Sequence, residues 1–171
     1  LVTVALKEAD GSPALLGLEH EKTLHMIVIS KDMSSFAHVH PEEYPRSAKG
    51  DFQIPYTFPQ AGTYLIALDY LHGLTHRSRT FEVQVGQGES EVVRYPDLAQ
   101  AGGMQIAFQY VPPLIGDVAL LRFTATEDGK PVTDLEPYLG AAMHVAIVSD
   151  DLKTFVHTHG EVHPPGYVPP A

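Results

Sequence analysis

The stretch MHVAIVSDDLKTFVHTH (residues 143–159) has a near copy in HMIVISKDMSSFAHVH (residues 25–40), and both read H-x12-H-x-H. Each is a β-branched run, a polar segment of four residues and a second run ending in H-x-H. That order reads as strand, loop, strand, a β-hairpin. The repetition extends outward. Asp10-Gly-Ser-Pro13 recurs as Asp128-Gly-Lys-Pro131 and Leu18-Glu19 as Leu135-Glu136, at offsets of 118 and 117 residues against 119 for the histidine blocks. Self-similarity at a nearly fixed spacing marks an internal duplication.

Between the copies, runs such as MIVI (26–29), TYLIAL (63–68) and TFEVQV (80–85) are short, rich in β-branched and aromatic residues, and bounded by Gly, Pro, Asp or Ser. The 14 glycines and 14 prolines interrupt the chain too often for long helices, leaving at most a turn or two near Pro96-Asp-Leu-Ala-Gln100. The expected fold class is therefore all-β, with two immunoglobulin-like β-sandwich domains. The expected division is 1–86 for the first, 87–103 for a linker and 104–171 for the second. FPQAGTY (58–64) supports the sandwich, since a turn leading into a strand with an early Tyr is similar to a tyrosine corner. The second copy is shorter: only 12 residues follow His159, so its C-terminal strands are expected to be missing or supplied by a homodimer mate or another protein.

Composition narrows the function. With 11 basic and 21 acidic residues the formal net charge is −10, which disfavours nucleic acid, because phosphate binding needs clustered Lys and Arg. No apolar run reaches the 18 or so residues of a membrane span. Cysteine is absent, which removes disulfides, thiolate nucleophiles and Cys-based metal sites. The chain begins at Leu1 rather than Met, the expectation being a mature or trimmed form whose targeting segment precedes it. No serine lies in a nucleophile-elbow context and no pair of acids stands out for glycoside hydrolysis, so no enzyme is read.

Pairing carries the site. If Ser149 faces Thr154 across the loop 150–153, His144 falls opposite His159 and His157 opposite Ala146. If Ser30 faces Ser35 across the loop 31–34, His25 falls opposite His40. Residues two apart on a strand share a face, so His25, His38 and His40 project together, as do His144, His157 and His159. Cross-strand Cβ atoms lie roughly 5 Å apart, close enough for imidazoles to share one ion. Ile27, Ile29 and Phe36 share the first face, and Val148 and Phe155 the second. Each is thus an apolar surface that becomes histidine-lined at one end. Three neutral imidazoles there form an open metal site, with copper favoured by affinity order and zinc next. Weaker candidates are His20 and His76 for the first site, where His72 flanks the same loop as His76, and His163 for the second. Glu19 and Glu136 are expected to orient imidazoles.

The D-G-x-P, L-E, H-x12-H-x-H and F-P-x-A-G-x-Y elements resemble bacterial secreted proteins with tandem immunoglobulin-like domains, similar to the CopC- and YtkA-like copper-binding β-sandwiches of the periplasm. The resemblance implies a periplasmic or extracellular location and a role in metal storage, delivery or sensing, with the two histidine trios as ligands. One departure is that Leu1 does not supply the N-terminal His that CopC-type proteins use. FAHVHPEE (36–43) and FVHTHGE (155–161) also resemble the H-V-H strand of copper/zinc superoxide dismutases. The bridging His and long Arg-bearing loop of those enzymes have no counterpart here. The remaining reading is a protein–protein interaction module without metal.

Overall fold

The computed structural model describes residues 1–88, 98–110, 114–116, 118–164 and 167. The chain is all-β. Its strands are β1 (Val2–Val4), β2 (Leu16–Gly17), β3 (His25–Ser30), β4 (Phe36–Val39), β5 (Phe52–Ile54), β6 (Gly62–His72), β7 (Thr75–Val85), β8 (Leu98–Ala101), β9 (Met104–Tyr110), β10 (Leu121–Glu127), β11 (Lys130–Pro131), β12 (Met143–Val148) and β13 (Phe155–Gly160). A single 3-10 turn, Pro41–Glu43, is the only helical element among the described residues, and none of them forms a helix long and apolar enough to cross a membrane.

Strand β6 organises the first copy. It pairs along its whole length with β7 and, on its other edge, with β3 and then β2, while β4 continues the sheet beyond β3. Every residue of β3 is buried, which explains why MIVI reads as a continuous apolar run rather than an alternating one: it has two faces to cover. On one face Met26 and Val28 join Tyr64, Ile66 and Leu68 of β6 and pack against Val4, Phe52 and Ile54 of the β1–β5 pair. This is a β-sandwich core. The Tyr64 hydroxyl donates to the Gln60 carbonyl at 3.0 Å, the bond a tyrosine corner makes at the entry of its strand.

On the other face Ile27, Ile29 and Ala67 are covered by Ala146, Val148 and Phe155 of the C-terminal hairpin, with Met33 alongside. The apolar faces predicted for the two copies are therefore each other's partners, except that Phe36 is 60% exposed and takes no part. The compact units consequently differ from the expected division at 87–103. Residues 1–92 and 137–171 form one unit, and 93–136 form the other. The physical reason is burial: the β12–β13 hairpin has its apolar complement on β3 and β6.

The second unit is an antiparallel meander in the order β11-β10-β9-β8. Gly102-Gly103 and Asp128-Gly129 turn its hairpins with φ of 58° and 87°, and 50° and 75°, the paired positive values of a type I′ turn. Phe108 stacks on Phe123 across β9 and β10, with centroids 5.0 Å apart. Leu98 to Gln100 are in β8, not in the short helical turn expected there; Pro96 and Asp97 lie outside the described residues.

Ile27 is 1% exposed at the centre of the second interface. Truncating it with Ile27→Ala should cost about 2–5 kcal/mol, the usual price of a large-to-small change in a core. Urea unfolding of the two proteins measures it; a loss well under 1 kcal/mol would mean that the C-terminal hairpin does not seal this face.

Candidate metal centre

Both hairpins have the predicted register. His144 faces His159 and Ala146 faces His157. In the first copy Met26 pairs with Val39 and Ile27 with His38, which brings His40, just past the strand, opposite His25. The loops also match. Met33 and Leu152 adopt left-handed φ of 60° and 59°, and Asp32 and Asp151 each accept a backbone N–H two residues on, from Ser34 and Lys153. An Asx turn plus one left-handed residue closes both four-residue loops.

The result is two groups, His25, His38, His40 and His144, His157, His159, each with one donor atom per residue within 4.8 Å of the others. Either triad can hold a metal ion. Tetrahedral metal–nitrogen bonds of about 2.0–2.1 Å would place neighbouring donors about 3.3 Å apart. His144 Nδ1 lies 3.3 Å from His157 Nε2, and His25 Nδ1 lies 3.0 Å from His38 Nε2. The third member of each triad, His40 or His159, has a buried Nε2 with no hydrogen-bond partner. These are two of seven such atoms among the described residues, and a cation held by each triad would supply the missing partner there.

Backbone carbonyls orient the first ring of each triad. His25 Nε2 donates to the Glu19 carbonyl at 3.0 Å and His144 Nε2 to the Tyr138 carbonyl at 2.8 Å. Because a carbonyl only accepts, the proton sits on Nε2 and the lone pair of the neutral ring is on Nδ1, facing the triad. Both carbonyls open two-residue turns with positive φ at their centres, His20 (47°) and Glu21 (67°), and Leu139 (47°) and Gly140 (74°). Residue Glu19 thus corresponds to Tyr138, not to Glu136.

His157 has a further anchor. Its Nδ1 donates at 3.0 Å to Oδ2 of Asp69, which is itself 3% exposed. The lone pair of neutral His157 is therefore on Nε2, and it meets the lone pair of His144 Nδ1 across the 3.3 Å gap. Two lone pairs at that distance repel unless a positive species, a proton or a metal ion, lies between them. His38 differs. Its Nδ1 has no hydrogen-bond partner among the described residues, so its ring is free to carry the proton on Nε2 and donate it to His25.

The triads abut. His38 lies 5.4 Å, centroid to centroid, from both His144 and His157, and His25 lies 5.4 Å from His157. The equal spacing of His25–His157 and His38–His144 is what a pseudo-twofold exchanging the copies requires. His20 was expected to serve the first triad; it instead stacks on His159, with centroids 3.7 Å apart. His76 reaches neither triad directly. It pairs with Asp69 at 2.9 Å and approaches Glu19 at 3.5 Å. His72 bonds Glu8. His163 stacks on Tyr167 and pairs with Glu161, away from both triads. Glu136 is exposed and falls in the other unit. Glu19 contributes its carbonyl, and among the described residues its carboxylate approaches His76, at 3.5 Å. Asp69 is the residue that sequence reasoning missed. Its signal was an acid inside the apolar run TYLIALDY, and it pairs directly with His25 across β3 and β6.

An all-β protein with two contiguous three-histidine sites, each able to hold a metal ion, is the class this geometry defines. The chain belongs to the family described as Domain of unknown function (DUF8832), which it matches over residues 2–87 and 99–170, each segment carrying one H-x12-H-x-H block. No curated protein and no solved structure matches it.

Burial, reinforced by neighbouring rings, holds His38 down to about 3 and His159 to about 4, and burial also lowers His25 and His40. Between these values and the ordinary imidazole pKa of about 6.5, the unfolded chain binds more protons than the folded one, so stability falls as pH falls. Chelator-treated protein should therefore lose stability steadily from about pH 6.5 toward pH 4, and His38→Gln should flatten that slope. Urea midpoints across the pH range check both; a midpoint constant over this window would contradict the burial argument.

Proposed function

We propose that the protein binds copper, or failing that zinc, in the bacterial cell envelope, for storage, delivery or sensing rather than for catalytic turnover. The observation that carries this reading is the pair of orphaned, buried Nε2 atoms, His40 and His159, each in a triad of donors spaced for a shared ion. An all-imidazole donor set suits copper and zinc, and affinity order favours Cu(II). Thioether donors add little to the choice. Met26 is buried in the sandwich core on the opposite face of β3, and Met33 packs among the apolar residues of the other interface. The acidic net charge of −10 favours cation approach, and the envelope location rests on the resemblance of the repeat to secreted copper-handling β-sandwiches.

Elemental analysis after loading with Cu(II) or Zn(II) and desalting tests this. Wild-type protein should retain two equivalents, and the double variants His38→Ala/His40→Ala and His157→Ala/His159→Ala one each. Because the ligands must be deprotonated, bound metal should be released as pH falls through about 6. Absence of stoichiometric metal in the folded wild type would sink the reading.

A second reading has one specific support. Among the described residues β12 and β13 pair only with each other, so the C-terminal hairpin offers free edges for strand addition by a partner or a second copy. A concentration-dependent increase in mass by light scattering, unaffected by metal, would favour it.

A further inference from the structure

We propose that the six histidines form a single two-ion centre that fills in order, the triad His144, His157 and His159 taking the first divalent ion and the triad His25, His38 and His40 the second; this rests on the metal-binding reading above. Both triads consist of three histidines, with ring centroids 4.7–5.3 Å apart in the first and 4.6–5.6 Å apart in the second. Their surroundings differ in four ways, and all four point to the same order.

The first difference is the state of the rings without metal. In the C-terminal triad the Tyr138 carbonyl and the Asp69 carboxylate set both tautomers so that His144 Nδ1 and His157 Nε2 confront each other with lone pairs at 3.3 Å. That gap takes a positive species in either state, a proton in the metal-free protein or a cation in its place, with no change of tautomer at either ring. In the N-terminal triad only His25 is held in this way. His38 donates to it at 3.0 Å, so an entering ion must first displace a hydrogen bond and move a proton to the other nitrogen of His38.

The second difference is charge. Asp69 is a buried carboxylate bonded to His157, and among the described residues it has no lysine or arginine partner; its other oxygen lies 2.9 Å from His76. The N-terminal triad has Glu43 3.7 Å from His40 Nδ1, already paired with the Lys22 ammonium, and it meets Asp69 only as the cross-strand neighbour of His25, without a hydrogen bond to it. The third is access. His25 and His40 are 1% and 3% exposed and His38 partly buried, whereas in the C-terminal triad only the His157 side chain is that buried, at 3%, and His144 and His159 are partly buried. The fourth is the cavity of about 260 Å³ that opens on the cluster: it reaches His157 and His159 together with His20, His76, Glu19 and Asp69, but only His25 of the other triad. His20, stacked on His159 at its wall, is placed to meet an incoming ion.

Coupling follows from proximity. With three pairs of rings from different triads at 5.4 Å, two divalent ions bound at once are separated by little more than the imidazoles that hold them. Their repulsion acts across a poorly screened, partly buried site. Occupation of the first triad therefore weakens the second.

The test is titration of the metal-free full-length chain with Cu(II), followed by calorimetry and electron paramagnetic resonance. Two steps are expected, the second at least tenfold weaker. The spectrum should show an isolated Cu(II) signal up to one equivalent and dipolar broadening on addition of the second. His159→Ala should remove the tighter step and His40→Ala the weaker one. Asp69→Asn should weaken the tighter step by about tenfold or more, the usual effect of losing a residue that orients a metal ligand. Circular dichroism of each variant distinguishes loss of a step from loss of the fold, and the wild-type titration decides the coupling without them. Two equal, independent equivalents with an unbroadened two-spin spectrum would overturn the inference and leave metal binding intact. Loss of the tighter step in His40→Ala would overturn the order. Failure of the wild type to bind either ion would remove the metal-binding reading and this inference with it.

Discussion

The packing of one apolar strand face on another holds this site together. Ile27, Ile29 and Ala67 would be exposed on the outer face of the central sheet if Ala146, Val148 and Phe155 did not cover them. Burial of that surface is non-directional, but the strand period is not: once Ile27 faces the second hairpin, so do His25 and, across the pair, His38. The hydrophobic contact thus sets where six imidazoles go. It also removes them from water, which is why His38 and His159 favour the neutral, ligand-competent form. Packing, placement and protonation of the histidines here have one cause.

Orientation has a separate cause, the backbone. Each triad begins with a tight turn whose first carbonyl receives the Nε2 proton of a histidine six residues on, Glu19 to His25 and Tyr138 to His144. Three of the four central residues of these turns, His20, Glu21 and Leu139, adopt left-handed φ without being glycine. That conformation is unfavourable for residues with a Cβ. The structure tolerates it where the turn aims a carbonyl at the ring, and at His20 where the side chain also reaches His159. A carbonyl acceptor needs no particular side chain, so the matching of Glu19 with Tyr138 leaves no trace in residue identity.

The difference between side-chain and backbone determinants explains what could be read beforehand. The hairpin register was legible because loop length and alternation decide it, and the histidines fell on one face in both copies as that arithmetic required. The destination of each face was not legible. A run such as MIVI signals burial on both sides without naming the partner, and two copies of one pattern suggest two separate cores as readily as one shared interface. The tandem-domain expectation came from that ambiguity. His20 was assigned to the nearer triad in sequence, but the turn at 19–22 carries it to the farther one. Asp69 stands 44 residues from His25 and 88 from His157, and only strand pairing brings it to both.

What lies beside each hairpin accounts for the asymmetry of the two triads. The first copy keeps β6 beside its histidine hairpin, and β6 carries Asp69. The second hairpin has no such strand among the described residues. It packs on the face of β3 and β6, where Asp69 of the first copy meets His157 of the second and the His20 ring lies 3.7 Å from that of His159. The second triad therefore takes its histidines and the Tyr138 carbonyl from one repeat, and the Asp69 and His20 contacts from the other. Two independent sites would each need a full set of supports of their own. Here one set serves across the interface, so the geometry of the C-terminal triad depends on the N-terminal copy being folded beneath it, and separating the repeats would dismantle the site while leaving every ligand in the chain.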